Sequence, residues 1–466
     1  MMSYCRLSVL PKCLVYAAIL YICASIFLTF FHSEHNVFTP KRYTFPEIPH
    51  LWQDYCQYLE HNVEGIEADF DNKTYRLRGL GIVFRHGERS PLVVHDESTV
   101  CKPYLEADRN LYEEYVKKIE SDDIKTFIKA DKKFADFPRF PDRSECRGGE
   151  LTAEGALQHV RLGKYMQSKY GSSALFDPDF HLNVSITSSQ YHRTYQSALA
   201  FSLSFLYPHR YNFPIIYIKA SDFTNQCTHE ACACPGIQNK RKQYEKEYTK
   251  VFSSSAPAYM RDTTYNLRQL NSFQHVNEPY EVLDVSLGSY ICRRLPLPCP
   301  NDNVCLSYSF LNEVLNYTSS RGSYMFSPEI SPLAYELQVI DSHGVLFHMR
   351  DMILRLKQFP HTNMLKIFSG HDVTIAPILR VLGVPFLDPP HYASRIAFEV
   401  LEHVRTKKLF LRVIYNGEDV TNKITFCTDL FDGLCSVEYL EDFVKKEIPQ
   451  LLKAKSVSEF CIRKRE

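Results

Sequence analysis

The chain has 466 residues, 45% of them hydrophobic, enough to bury a large core and, on length alone, two or three domains. Lys plus Arg and Asp plus Glu balance at 54 each, which excludes the bulk charge that would suit nucleic acid or an anionic membrane surface. No long run of like charge, solenoid-period repeat or low-complexity tract modifies that reading.

Cys13 to Phe31 carries no charge and is rich in Leu, Ile, Ala, Tyr and Phe. That length crosses a hydrocarbon core as a helix. Arg6 and Lys12 precede it, so residues 1–12 are expected as a cytoplasmic tail, 13–31 as a transmembrane signal-anchor and the remainder in the lumen. The competing reading is a cleaved signal peptide ending near Cys23-Ala24-Ser25; the apolar run that continues to Phe31 favours the uncleaved anchor. Residues 32–74, with Pro40, Pro46 and Pro49, read as a luminal stem.

Tyr75 to Phe84 reads as the first strand, and Arg85-His86-Gly87-Glu88-Arg89-Ser90-Pro91 follows it directly. Residues 92–148 are charged, with short helical patterns such as Leu111 to Lys118, and read as loops over a site. A helix is expected from Glu150 to about Tyr170 with Thr152 as N-cap, then a strand from His181 to Ser188. Ser189-Gln190-Tyr191-His192-Arg193-Thr194 leads into a helical run from Tyr195 to Leu206, and Ile215 to Lys219 is another strand. Residues 222–330 hold six cysteines and helical, charged stretches, and read as an inserted, mostly helical cap. Helix 344–357 and strands 365–369, 395–402 and 409–415 return the chain to the core, with Ser369-Gly370-His371-Asp372 ending the first of these strands. Strands alternating with helices imply an α/β sheet, mixed but mostly parallel, with helices on both faces.

Of fifteen cysteines, twelve fall between Cys56 and Cys461, an even number suited to a disulfide-bonded domain in an oxidising compartment. Their connectivity is open. The sequons at Asn72, Asn183 and Asn316 point to the same compartment as glycosylation acceptors. Cys227-x4-Cys232-x-Cys234 with His229 between could mimic a metal site, but disulfides suit a luminal chain better.

Three strand ends carry the chemistry. In open α/β sheets ligands bind beyond the carboxyl ends of strands. Arg85 and Arg89 flanking His86 suit a phosphate, because guanidinium forks grip its oxygens while an imidazole faces phosphorus. Arg193 and the His371-Asp372 pair occupy two further strand ends. Taken singly, Arg193 reads as a helix-face salt bridge and His371-Asp372 as a core histidine and a helix cap; together the segments read as one site.

The Arg-His-Gly-x-Arg-x-Pro segment resembles the signature of the histidine acid phosphatases. Ser189 to Ala198 and the His371-Asp372 pair resemble that family's later motifs in the same order. The resemblance covers roughly residues 75–430 and implies the histidine-phosphatase three-layer sandwich, with 75–466 as its domain. It further implies His86 as nucleophile, Asp372 as proton donor, and Arg85, Arg89, Arg193 and His371 on the phosphate. Such a scheme needs no metal and no cofactor. Within the family, the amino-terminal anchor, the Cys227–Pro235 cluster and Ile414–Thr421 followed by Cys427 resemble Golgi members that act on xylose 2-phosphate in the linkage region of proteoglycans. The expected partners are therefore a phosphorylated glycan on a core protein, the Golgi membrane and a linkage-region glycosyltransferase, with no nucleic acid. The alternatives are a broad luminal, secreted or lysosomal-type acid phosphatase and a catalytically idle fold that binds glycan-synthesis enzymes; intact His86 and Asp372 speak against idleness.

Overall fold

The computed structural model describes residues 38–40 and 48–462, except 94–100, 253–255, 301–303 and positions 104, 145, 214, 223, 229–231, 236, 326, 328, 387 and 388. The expected tail, signal-anchor and most of residues 32–47 lie outside the described residues. Among the described residues no helix is long and apolar enough to cross a membrane.

One sheet organises the chain. Its strands are β1 (Tyr75–Arg85), β2 (Ile128–Ala130), β3 (His181–Ser189), β4 (Ile216–Ser221), β5 (Thr362–Gly370), β6 (Arg395–His403), β7 (Leu409–Tyr415), β8 (Glu418–Asp419), β9 (Leu430–Phe431) and β10 (Leu434–Ser436). They lie side by side as β9-β10-β7-β6-β1-β5-β3-β4-β2, with β8 on β7. Pairing is parallel from β1 through β5, β3 and β4 to β2, and antiparallel through β6, β7, β8, β10 and β9. The sheet is therefore mixed in equal measure rather than mostly parallel. The carboxyl-terminal strands follow one another through short turns, and only antiparallel neighbours can be joined that way.

Helices cover both faces, and strand alternation serves both at once. Leu80, Ile82 and Phe84 of β1 join the core under α2 (Ala153–Tyr170) and α3 (His192–Phe205). Val83 joins the opposite core, under α5 (Pro332–Gln358) and α6 (Asp372–Leu382). Gly81 also faces α5, where a Cβ would come 2.2 Å from Met349 Sδ, so any larger residue there would displace the Met349 side chain. Thr152 caps α2, accepting from Gly155 N at 3.1 Å. Helix α5 begins a dozen residues before the expected 344, with Ser331 as its cap, because its first turns pack beneath the cap region instead of ending in a loop.

A third core lies in the cap, among helices 258–267, α4 (Pro279–Ser286) and 308–325. It also holds the part of the expected stem that begins at residue 48. Helix α1 (His50–Cys56) buries Trp52, Tyr55 and Cys56, and Cys56 is bonded to Cys292. Residues 50–74 are therefore no free spacer, because Pro49 starts an amphipathic turn that has its own apolar seat. Nor is 92–148 only loops: it holds helices 106–119 and 122–127 and supplies edge strand β2.

All twelve cysteines from Cys56 onward pair, as 56–292, 101–146, 227–232, 234–461, 299–305 and 427–435. Cys227 and Cys232 thus serve no metal. Asn72, Asn183 and Asn316 are all exposed.

Candidate active site

The site forms where β1, β3 and β5 end together. Beyond β1 the chain is held on both sides, Arg85 N donating to Ser394 O and His86 N to Gly370 O, each at 2.9 Å. Gly87 then lies so close to the first turn of α2 that a Cβ there would meet Gly155 O at 2.1 Å. This approach turns His86 into the space between the strand ends, and His86 is 2% exposed.

The imidazole is oriented by its own loop. His86 Nδ1 lies 2.7 Å from Gly87 O, and since a carbonyl only accepts, Nδ1 carries the proton and Nε2 keeps its lone pair. Burial, reinforced by Arg193, Arg85, His371 and Arg89, holds the His86 pKa well below the ordinary histidine value. The ring therefore stays neutral into the acid range.

Arginines surround it. Arg85 Nη1 donates to Tyr55 Oη at 2.9 Å and to Pro390 O at 2.5 Å, and its Nη2 lies 3.5 Å from Asp372 Oδ2. Arg193, in the first turn of α3, donates Nη1 to Gly149 O at 3.3 Å and lies over the Tyr191 ring at 4.6 Å. Helix α3 begins at His192, earlier than the expected Tyr195, which places Arg193 on a helix rather than in a loop. The Nε atoms of Arg85 and Arg193 are both buried without a partner. Such donors are costly unless an anion accepts from them. Arg89 is held from the cap, its Nη2 2.9 Å from Asp284 Oδ1.

At the end of β5, His371 Nε2 lies 2.8 Å from Ser189 Oγ, and the His371 and His86 ring centroids are 5.4 Å apart. Asp372 begins α6; its Oδ1 accepts from Val373 N at 2.8 Å, and its side chain remains 31% exposed. Burial pushes the Asp372 carboxyl up, but Arg85, Arg89 and His371 outweigh it and leave the pKa below the usual aspartate value. Arg193 is lowered to about 10, first by burial and then by Arg89. Three guanidinium groups thus face two carboxylates, and the pocket keeps a positive charge for an anion.

All six site residues expected from the sequence meet here. The structure adds several that sequence reasoning missed. Tyr55 and Asp284, the partners of Arg85 and Arg89, come from α1 and α4 and carry no local motif. Ser189 lies inside the second motif, so its position beside His371 had a signal. His159 of α2, fully buried against Phe84, lies 3.1 Å from Arg85 O and supports the same strand end from behind.

The model of the histidine phosphatase superfamily (branch 2) matches residues 76–416. The chain belongs to that superfamily. It is a phosphoric monoester hydrolase with the α/β fold of the family. It is 26% identical to 2-phosphoxylose phosphatase 1 of Danio rerio, over 91% of this chain and 89% of that one. With 2-phosphoxylose phosphatase 1 of Xenopus tropicalis it shares 25% identity, over 83% of this chain and 77% of that one. Putative acid phosphatase 5 of Caenorhabditis elegans is 25% identical over 65% of this chain and 70% of its own. Among solved structures, the phytase from D. castellii overlays with a TM-score of 0.49 at 15% identity, covering 89% of this chain and 88% of the phytase.

Proposed function

We propose that this phosphatase removes the 2-phosphate of xylose from the glycan that links glycosaminoglycans to core proteins. His86 Nε2 attacks phosphorus and forms a phosphohistidine while the bond from phosphorus to the sugar oxygen breaks. Arg85, Arg89, Arg193 and His371 neutralise the charge that develops on the phosphoryl oxygens. Asp372 gives its proton to the leaving sugar oxygen, then takes one from the water that attacks phosphohistidine and releases phosphate. An arriving phosphate dianion raises the Asp372 pKa and so supplies the protonated acid. The observation that carries the mechanism is the His86 Nδ1 to Gly87 O hydrogen bond, which presents a neutral Nε2 among three arginines. The sugar assignment is supported by the xylose phosphatase relatives.

Six disulfides suit an oxidising lumen, and the apolar 13–31 segment suits a single-pass type II Golgi protein that works beside a linkage-region glycosyltransferase. Glycans on Asn72, Asn183 and Asn316 belong to the same reading. The purified full chain should release phosphate from a xylose-2-phosphorylated linkage oligosaccharide with far higher kcat/KM than from an aryl phosphate, with His86→Ala as the blank. Equal rates on both substrates would make it a broad acid phosphatase, and no turnover of either would leave a binding protein.

A further inference from the structure

A wide groove lies well away from the phosphate pocket. It has a volume of about 1120 Å³ and lies at the opposite end of the sheet, where β1 and β5 start and β6 ends. From Arg76 to His86 the strand rises about 3.3 Å per residue, so the groove is about 30 Å from the nucleophile. Its walls carry five lysines and arginines against the carboxylates of Glu402 and Glu438, although the chain as a whole is neutral.

Some of these cations are committed. Arg78 pairs with Glu402 at 2.5 Å and is filled by backbone carbonyls, and Lys357 pairs with Glu438 at 2.8 Å. Among the described residues Arg76 and Lys408 have no carboxylate within ion-pair distance. Arg76 lies over the Phe180 ring at 5.2 Å, and Lys408 is exposed. Beside them stands an aromatic platform. Phe431 is 58% exposed, yet its ring is held flat against buried Phe410, centroids 5.5 Å apart and 21° between planes. Its hairpin is pinned by Tyr75, whose Oη donates to Asp432 Oδ2 at 3.1 Å. A large aromatic ring kept rigid in water beside uncompensated cations matches a ligand that alternates apolar faces with negative charge.

We propose that this groove binds the acidic glycan chain that extends from the phosphorylated sugar, a polymer of sugar rings and uronate carboxylates. The inference rests on the glycan-phosphatase reading above and adds a second contact to it. Phe431 stacks on a sugar face while Arg76 and Lys408 take the carboxylates. Nucleic acid would match the charge, but six disulfides suit an oxidising secretory compartment, where acidic glycans rather than nucleic acids are made. A tethered second contact raises the effective concentration of substrate at the pocket without touching the chemistry.

The test uses the full chain and the variant Arg76→Ala/Lys408→Ala/Phe431→Ala. Affinity for a chondroitin decasaccharide should fall at least tenfold in the variant. Binding to the parent should weaken as salt rises, and aryl phosphate turnover should be unchanged in both, which shows that the variant is folded. Equal chondroitin affinity in parent and variant would overturn the proposal. So would a poly-glutamate peptide that binds the parent as tightly as chondroitin, since the groove would then be a protein-docking surface. If chondroitin binds through the groove while xylose 2-phosphate is not hydrolysed, the substrate reading fails and the groove stands.

Discussion

Asp284 offers the sharpest test of how the cap and the phosphate pocket work together. Its Oδ1 is 2.9 Å from Arg89 Nη2, and its Oδ2 accepts from Leu92 N at 2.7 Å. Asp284→Asn keeps the shape and one acceptor but removes the charge that, with burial acting against it, holds Arg89 firmly protonated. Breaking a fully buried ion pair costs about 3–5 kcal/mol, and a charge-assisted hydrogen bond is worth about 1.5–3 kcal/mol. The Asp284 side chain is 19% exposed, so solvent screens it, and the lower range applies: about 2 kcal/mol of stability lost without ligand. Phosphate restores the missing negative charge. The variant should therefore gain more from phosphate than the parent does, and its inhibition constant for inorganic phosphate should fall by up to about tenfold, or ~1.4 kcal/mol. Thermal unfolding across a phosphate titration, with competitive inhibition of aryl phosphate turnover, reads both effects. An Asn variant with unchanged Tm and unchanged phosphate affinity would show that Asp284 does not set the charge of Arg89.

Three further outcomes follow from the same geometry. Arg193→Lys keeps a charge but loses the planar fork and the buried Nε, and kcat/KM should drop about a hundredfold, ~2.7 kcal/mol; a loss under threefold would place Arg193 outside the reacting complex. The depressed pKa of His86 keeps the nucleophile unprotonated well below pH 6.5. Turnover should therefore persist into acid and decline as pH rises and bound-state Asp372 loses its proton, and an acid limb near 6.5 in kcat/KM would contradict this. Cys56→Ser/Cys292→Ser opens a loop of 236 residues and frees α1 from the cap, which should cost about 3–5 kcal/mol and lower activity through Tyr55 and Arg85. Denaturant unfolding and aryl phosphate kinetics measure both, and full activity in the double variant would sever α1 from the site.

Much of the site was legible before any fold was known, because phosphoryl chemistry needs particular side chains at strand ends, and strand ends have local signals. The apolar run before Arg85 marks a buried strand, and Gly87 and Pro91 mark its end. The pairing of His371 with Asp372 at the next such junction is equally local. The even set of cysteines declared an oxidised domain without declaring its bonds, since 56–292 and 234–461 join segments that share no sequence pattern.

What the tertiary structure alone decided is how those side chains are held. Tyr55 reaches Arg85 only because α1 folds back into the cap instead of running on as a stem. Asp284 reaches Arg89 only because α4 closes over the strand ends. The seating of the antiparallel half against β1, and with it the basic groove around Arg76, depends on one ladder, in which Tyr75 pairs with His403 and Phe84 with Arg395 from the far end of the chain. Residue types and local periodicity fix which groups can do the chemistry, and the adjacent Gly87 carbonyl sets the His86 tautomer; the charge balance and pKa values come from burial and long-range neighbours, which no local stretch of sequence encodes.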